Sequence, residues 1–257
     1  MTNPLPLDQQ LVLVTGGARG LGAAISRAFL AQGARVVVNY RTSRAAAQDL
    51  VSEYPDRAWA VRADVRDRAQ VDDLVGRAGE HFGSSLTTVV NNALADFSFN
   101  GDARAKAGGI DYDAFAAQFA GSVQGPLNVI QAARPGMAAV GFGRVINIGT
   151  NLFQYPVVPY HDYTAAKAAL LSLTRTFADD LGPQGITVNM VSGGLLRTTD
   201  ASAATPDEVF DAIAAGTPLR RVTTPEQLAD AVLFFASPWA RGVTGQNLIV
   251  DGGLVKG

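Results

Sequence analysis

The chain has 257 residues, 47% hydrophobic and only 17% charged, with 27 glycines, no cysteine, two histidines and a net charge of −2. These figures exclude disulfides, thiolate zinc sites, a cysteine nucleophile and a three-histidine zinc centre. The near-neutral, interspersed charge leaves no electrostatic footprint for nucleic acid.

Met1 to Gln10 carries no basic residue and two prolines, which does not read as a signal peptide. The longest charge-free run, Ala114–Ala133, is interrupted by glutamines, an asparagine, a serine and a proline and is not expected to cross a membrane. A cytoplasmic protein with no membrane or nucleic-acid partner is the expectation.

In chain order, β-branched runs at Leu11–Thr15, Arg35–Asn39, Ala58–Val61, Thr88–Asn91, Arg144–Ile148, Gly185–Met190 and Asn247–Val250 are predicted strands. They are apolar almost continuously, as expected of strands covered on both faces. Helical periodicity fills the intervals at 20–32, 42–54, 67–82, 111–119, 123–140, 160–181 and 225–236. Strand alternating with helix implies parallel pairing through right-handed crossovers. The expected fold is a single α/β domain over residues 1–257, a Rossmann-type doubly wound parallel sheet of about seven strands. Its ligand site belongs beyond the carboxyl ends of the strands, where strand order reverses.

The first strand runs into Thr15-Gly16-Gly17-Ala18-Arg19-Gly20-Leu21-Gly22, and a helix follows at once. Gly16 and Gly20 permit a tight turn and close approach to a pyrophosphate, while Gly22 lets the helix pack on the strand. The free N–H groups at the helix start suit phosphates. No Gly-Lys-Ser/Thr follows, which excludes a P-loop nucleotide hydrolase. The second strand ends at Asn39-Tyr40-Arg41 without the acidic residue that would hold an adenosine ribose and repel a 2′-phosphate. Arg41 and Arg19 can both face such a phosphate, so NADP(H) is expected over NAD(H). A solvated loop arginine is the plainer reading of Arg41.

Tyr163 and Lys167 lie four residues apart on one face of the 160–181 helix, and Thr150 brings a hydroxyl to the end of the Val145–Ile148 strand. A phenol normally titrates near pH ~10, and a neighbouring ammonium lowers that value. With these residues in place the chain resembles the short-chain dehydrogenase/reductase family, in particular its 3-oxoacyl-carrier-protein-reductase-like branch. The resemblance runs from Leu11 to Gly253. It rests on Thr15–Gly22, Asp64-Val65, Asn91-Asn92-Ala93, the Gly143–Ile148 strand, Tyr163-Thr164-Ala165-Ala166-Lys167, Pro218-Leu219-Arg220-Arg221, Val243-Thr244-Gly245-Gln246 and Asp251-Gly252-Gly253.

The resemblance implies that Asp64 binds the adenine amino group beside Val65, and that Asn92 and Ala93 line the adenosine ribose. Leu196 and Thr198 would hold the nicotinamide carboxamide, with Ala18, Leu21 and Gly194 completing the cofactor site. Lys167 would bind the nicotinamide ribose and Tyr163 would exchange a proton with the substrate oxygen. Four positions depart from the family pattern. Thr150 replaces the usual serine, Ser122 the helical asparagine of the proton relay, Leu94 a glycine and Gly193 a proline. Asn128 is expected to be structural.

The leading reading is therefore an NADP(H)-dependent carbonyl–alcohol oxidoreductase with Tyr163, Lys167, Thr150 and Ser122 as catalytic residues. The alternative is a nicotinamide-nucleotide-binding sensor or scaffold with little turnover, motivated by Ser122, Leu94 and Thr150. A serine hydrolase fails, because there is no Gly-x-Ser-x-Gly elbow and no histidine after position 161. His161 reads as a polar helix-entrance residue and His81 as a surface one. Phe97, Phe99, Phe153 and Tyr155 follow strand ends and can line an apolar substrate cleft or simply pack. Gly141 and Gln184 stand where basic carrier-protein docking residues are expected, which favours a small ketone, alcohol or acyl thioester. Thr199–Gly216 is expected to be a mobile lid. The apolar circumference of the 160–181 helix predicts a helix-to-helix interface in a homotetramer, the assembly that the resemblance implies.

Overall fold

The expected strand–helix alternation builds one all-parallel sheet of seven strands in the order β3-β2-β1-β4-β5-β6-β7. A computed structural model describes residues 5–94, 97, 99–197, 199, 202, 203 and 205–256 of the chain. The strands are β1 (Leu11–Val14), β2 (Arg35–Tyr40), β3 (Ala58–Arg62), β4 (Thr88–Asn91), β5 (Gly143–Thr150), β6 (Ile186–Gly193) and β7 (Asn247–Val250). The helices are α1 (Gly20–Ala31), α2 (Arg44–Ser52), α3 (Arg68–Phe82), α4 (Tyr112–Phe119), α5 (Gly125–Val140), α6 (His161–Leu181), α7 (Asp207–Gly216) and α8 (Pro225–Ala236).

Period-two alternation along each strand divides the core in two. Val12, Val14, Val36, Val38, Val90 and Ile146 face α1, α2 and α8. Leu11, Leu13, Val37, Val89, Val145 and Val188 face α3, α5 and the C-terminal half of α6. Both faces are covered, which is why the strands read as unbroken apolar runs.

β1 pairs with β2 on one side and β4 on the other, so the chain reverses direction across the sheet between β3 and β4. The crevice at the carboxyl ends of β1 and β4 follows from that reversal.

Two local features differ from the sequence reading. The helices expected at 111–119 and 123–140 join through a π-helical turn, Ala120–Gln124, which places Ser122 in a wide turn instead of a break. The stretch expected as a lid contains α7, ten residues whose acidic first turn starts after Pro206. Arg197 Nη2 donates to Asp207 Oδ1 at that turn over 2.8 Å.

Candidate active site

Thr15, directly after β1, carries the first contact of the site. Its hydroxyl accepts from the N–H groups of Asn92 and Ala93, both at 3.0 Å, and donates to Val90 O at 3.2 Å. Asn92 Nδ2 donates back to Thr15 O and Gly16 O. The glycine loop is thus stitched to the end of β4. Gly16 and Gly20 take positive φ, +61° and +51°. A Cβ on Gly22 would lie 2.1 Å from Gly16 O and 2.7 Å from Asn92 Nδ2. The helix start is capped only by Arg19, which supplies no side-chain hydrogen bond. The first-turn N–H groups of α1 therefore have no side-chain cap, and a pyrophosphate fits this cradle. A groove of about 680 Å³ opens beside it, lined by Ala18, Arg19, Gly20, Ala23, Thr199 and Pro225 among others, and includes none of Thr150, Tyr163 or Lys167.

At the end of β2 the three expected residues divide. Asn39 is buried and spent on the chain itself: Oδ1 accepts from Gly16 N–H at 3.3 Å and Nδ2 donates to Ala63 O at 3.0 Å. Tyr40 is buried in the α1–α2 core layer. Arg41 is exposed, with Nη1 3.9 Å from Asp64 Oδ2. Asp64 also takes a forked contact from Arg66, with Nη2 at 2.7 Å and Nε at 3.0 Å. The Arg66 guanidinium, with a smaller share from Arg41, holds its carboxyl below the usual range. Val65 is buried, and Asn128 Nδ2 donates to its carbonyl at 3.0 Å, the structural role expected of that residue.

The proposed chemical end lies where β5 meets α6. Thr150 is the last residue of β5, and its hydroxyl accepts from Leu152 N–H at 3.2 Å. Tyr163, on the first turn of α6, is buried, which pushes its phenol up to about 12, and its hydrogen bond with Thr150 pulls the other way. Lys167 is one turn on. Its Nζ donates to Ile148 O at 2.8 Å and lies 5.8 Å from the Tyr163 ring centroid. Burial lowers that ammonium to about 8. Asn91 Nδ2 donates to Asn147 Oδ1, and Asn147 Nδ2 donates to Thr174 Oγ1, both at 2.8 Å, tying β4, β5 and α6 together.

Ser122 is buried and its Oγ has no hydrogen-bond partner. Leu94 is half-buried directly after Ala93. Gly193 ends β6, where a Cβ would meet Leu228 Cδ1 at 2.5 Å and the leucine side chain would have to shift. A Cβ on Gly194 would lie 3.1 Å from Asn151 Nδ2. Leu196 packs against the α1–α8 core layer, and Thr198 lies outside the described residues. His161 and His81 are both exposed, and His81 stacks on Trp59 at 4.5 Å.

Sequence reasoning missed the ion pair between Arg104 and the buried Asp162 beside Tyr163. An aspartate adjacent to the Tyr–Lys face was its only signal.

No helix among the described residues is long and apolar enough to cross a membrane, and no cluster of metal-ligating side chains occurs among them. Residues 16–255 match the family model for enoyl-(acyl carrier protein) reductase. The chain belongs to the short-chain dehydrogenase/reductase family. It is 33% identical to a versicolorin reductase of Emericella nidulans, over 97% of each chain. It is 34% identical to a 3α-hydroxysteroid dehydrogenase of Mediterraneibacter gnavus, over 96% of this chain and 97% of that one. A crystal structure described as a gluconate dehydrogenase of Agrobacterium tumefaciens superposes with a TM-score of 0.87 at 27% identity, over 97% of each chain. The family's members are oxidoreductases that act on alcohols and carbonyls with a nicotinamide cofactor.

The buried Lys167 carries a pH prediction. Folded, it releases its proton near pH 8; unfolded, it keeps it to 10.5. The unfolded chain binds more protons in between, so stability rises with pH from about 8 to 10, before the opposite shift of Tyr163 enters. The shift is worth up to about 3 kcal/mol. Thermal melts of the cofactor-free chain and of Lys167→Met should show wild type gaining on the variant across that window; a constant difference would contradict the assignment.

Proposed function

We propose that the chain is an NADP(H)-dependent oxidoreductase that interconverts a ketone or 3-oxoacyl-type carbonyl and its alcohol, with Tyr163 as general acid in reduction and general base in oxidation. One observation carries the reading. The Tyr163 hydroxyl meets Thr150 at the carboxyl end of β5, with the Lys167 ammonium anchored two residues back on the same strand. The bound cofactor supplies or accepts a hydride at nicotinamide C4. Tyr163, neutral at pH 7 with its value near 12, gives its proton to the carbonyl oxygen, and Thr150 donates a hydrogen bond to that oxygen. Lys167 holds the nicotinamide ribose and favours the phenolate that forms.

The preference for NADP(H) is supported by the absence of an acid at the end of β2 and by the exposed Arg41. The nearest carboxylate, Asp64, is already engaged by Arg66. A cytoplasmic setting rests on the sequence alone. The relatives' names, a reductase and a hydroxysteroid dehydrogenase, favour carbonyl–alcohol chemistry on a small molecule. The orphaned hydroxyl of Ser122 favours the second reading, a nucleotide-binding sensor with little turnover, because the proton relay lacks its usual amide.

For assembly we propose a homotetramer. Tyr112 is 80% exposed and, with Phe115, Phe119 and Ala165, lines an apolar groove of about 370 Å³ where α4 meets α6. Trp239, 81% exposed, and Leu248 leave a second apolar area after α8 and on β7. Exposed patches of this kind favour self-association.

Tyr163→Phe is expected to lower turnover at least ~10²-fold while cofactor still binds. NADPH oxidation over a ketone panel, beside fluorescence titration of NADPH, checks it. Near-normal turnover would sink the mechanism, and binding without turnover in the wild type would support the sensor. Arg41→Ala should weaken NADPH far more than NADH in the same titration; equal losses would contradict the placement. In light scattering at micromolar concentration, a mass near 26.8 kDa rejects self-association, whereas a dimeric mass removes only the second interface.

A further inference from the structure

β4 ends at Asn91 and α4 begins at Tyr112, so 20 residues connect them. Connections of this type usually need about 2–6 residues, and the excess asks for a use. Its described aromatic residues fold onto the first turn of α6. The Phe97 ring stacks on the Tyr163 ring with centroids 4.8 Å apart and planes 29° apart. Phe99 meets Tyr163 edge-on at 5.5 Å and Phe97 at 4.9 Å. Tyr160 closes the group at 5.2 Å from Phe97.

Two polar ties hold the wall. The Arg104 guanidinium lies 4.3 Å over the Phe97 ring and pairs with Asp162, a carboxylate only 1% exposed and one residue before Tyr163. Gly101 N–H donates to the Tyr160 hydroxyl at 2.8 Å. Phe97 is thus clamped between a cation and the phenol ring. A buried carboxylate needs its partner, so the loop is held to the turn that carries Tyr163.

We propose that Phe97, held in place by the Arg104–Asp162 pair, is a specificity-determining residue that selects flat, ring-bearing ketones and alcohols over puckered or open-chain ones. The inference deepens the proposed function and rests on it. A carbonyl that reaches the Tyr163 hydroxyl brings its neighbouring atoms beside this wall. An aliphatic skeleton gains only buried area there. A planar ring adds an edge-on contact with Phe97, whose faces Tyr163 and Arg104 cover, worth about 3- to 10-fold in affinity. Arg104 and Asp162 act through Phe97 as positioning residues.

The test is a matched pair with the same fused skeleton and ketone position, aromatic 2-tetralone and saturated 2-decalone, reduced with NADPH. The wild type is expected to favour 2-tetralone through KM. Phe97→Leu, which keeps apolar volume and removes the ring, should lower the ratio of kcat/KM for 2-tetralone over 2-decalone about 3- to 10-fold. Phe97→Tyr should retain it. Arg104→Met combined with Asp162→Asn, which leaves no uncompensated charge, should move the ratio in the same direction as Phe97→Leu. A ratio in Phe97→Leu within two-fold of the wild type overturns the inference. If the wild type reduces neither ketone, the proposed function fails for these substrates, and calorimetric binding of 2-naphthol against decahydro-2-naphthol in the presence of NADP(H) decides the inference separately. A preference for 2-naphthol that Phe97→Leu loses supports the aromatic wall; equal binding of the two alcohols, or a preference the variant keeps, overturns it.

Discussion

A buried ammonium lies against a strand-end carbonyl, and the proposed chemistry of this chain is arranged around that contact. Lys167 gives up most of its hydration to reach Ile148 O, and the cost shows as a value lowered to about 8. Such a contact persists only if the surroundings fix both partners. They do so two turns further along the same helix, where Thr174 accepts from Asn147 on β5 and donates to Leu170 O within α6. Two anchors on one helical face set the rotation and height of α6 on the sheet. Tyr163, one turn before Lys167, is thereby brought to Thr150.

A second set of contacts fixes the other half of the crevice. The Thr15 hydroxyl takes two N–H groups from the turn after β4, and Asn92 returns a donor to the glycine loop. Gly22 has no room for a Cβ because this stitch draws Gly16 O and Asn92 Nδ2 onto it. β4 belongs to both systems, since Asn91 carries the link to Asn147 and Asn92 the link to Thr15. Asn91 is the last residue of β4 and Asn92 opens the turn after it, so consecutive residues serve the proposed chemical and nucleotide ends.

The parts of this arrangement that follow a period were legible in the sequence. Continuous Val, Ile and Leu runs marked the parallel strands because the central ones are buried on both faces, and the four-residue spacing of Tyr163 and Lys167 gave a shared helix face. The π turn at Ala120–Gln124 was not legible, because one extra residue in a turn hardly disturbs an apolar pattern. Helix α7 was masked by its Ala-, Ser- and Thr-rich surroundings. The Arg104–Asp162 pair joins residues 58 apart in sequence, and no local rule couples them. Asn39 was legible as neutral but not as occupied, since its three partners come from the glycine loop and the end of β3.

The occupied Asn39 side chain changes the reason for the missing acid at the end of β2. Asn39 is 1% exposed, and its amide nitrogen donates to carbonyls at Val61 and Ala63. A carboxylate there would turn oxygen toward oxygen in a buried site and lose the donors that hold β3 to β2. The neutrality of this position is therefore set by packing within the chain. The charged side chain that follows on this strand end is the exposed Arg41. It shares Asp64 with Arg66, whose forked contact is the shorter by more than an ångström, 2.7 Å against 3.9 Å. Arg66 satisfies the carboxylate, so the longer Arg41 contact is the one a phosphate can replace at small electrostatic cost. At the adenosine end proposed for this crevice, Arg66 therefore holds the Asp64 carboxylate and Arg41 stands at its outer edge.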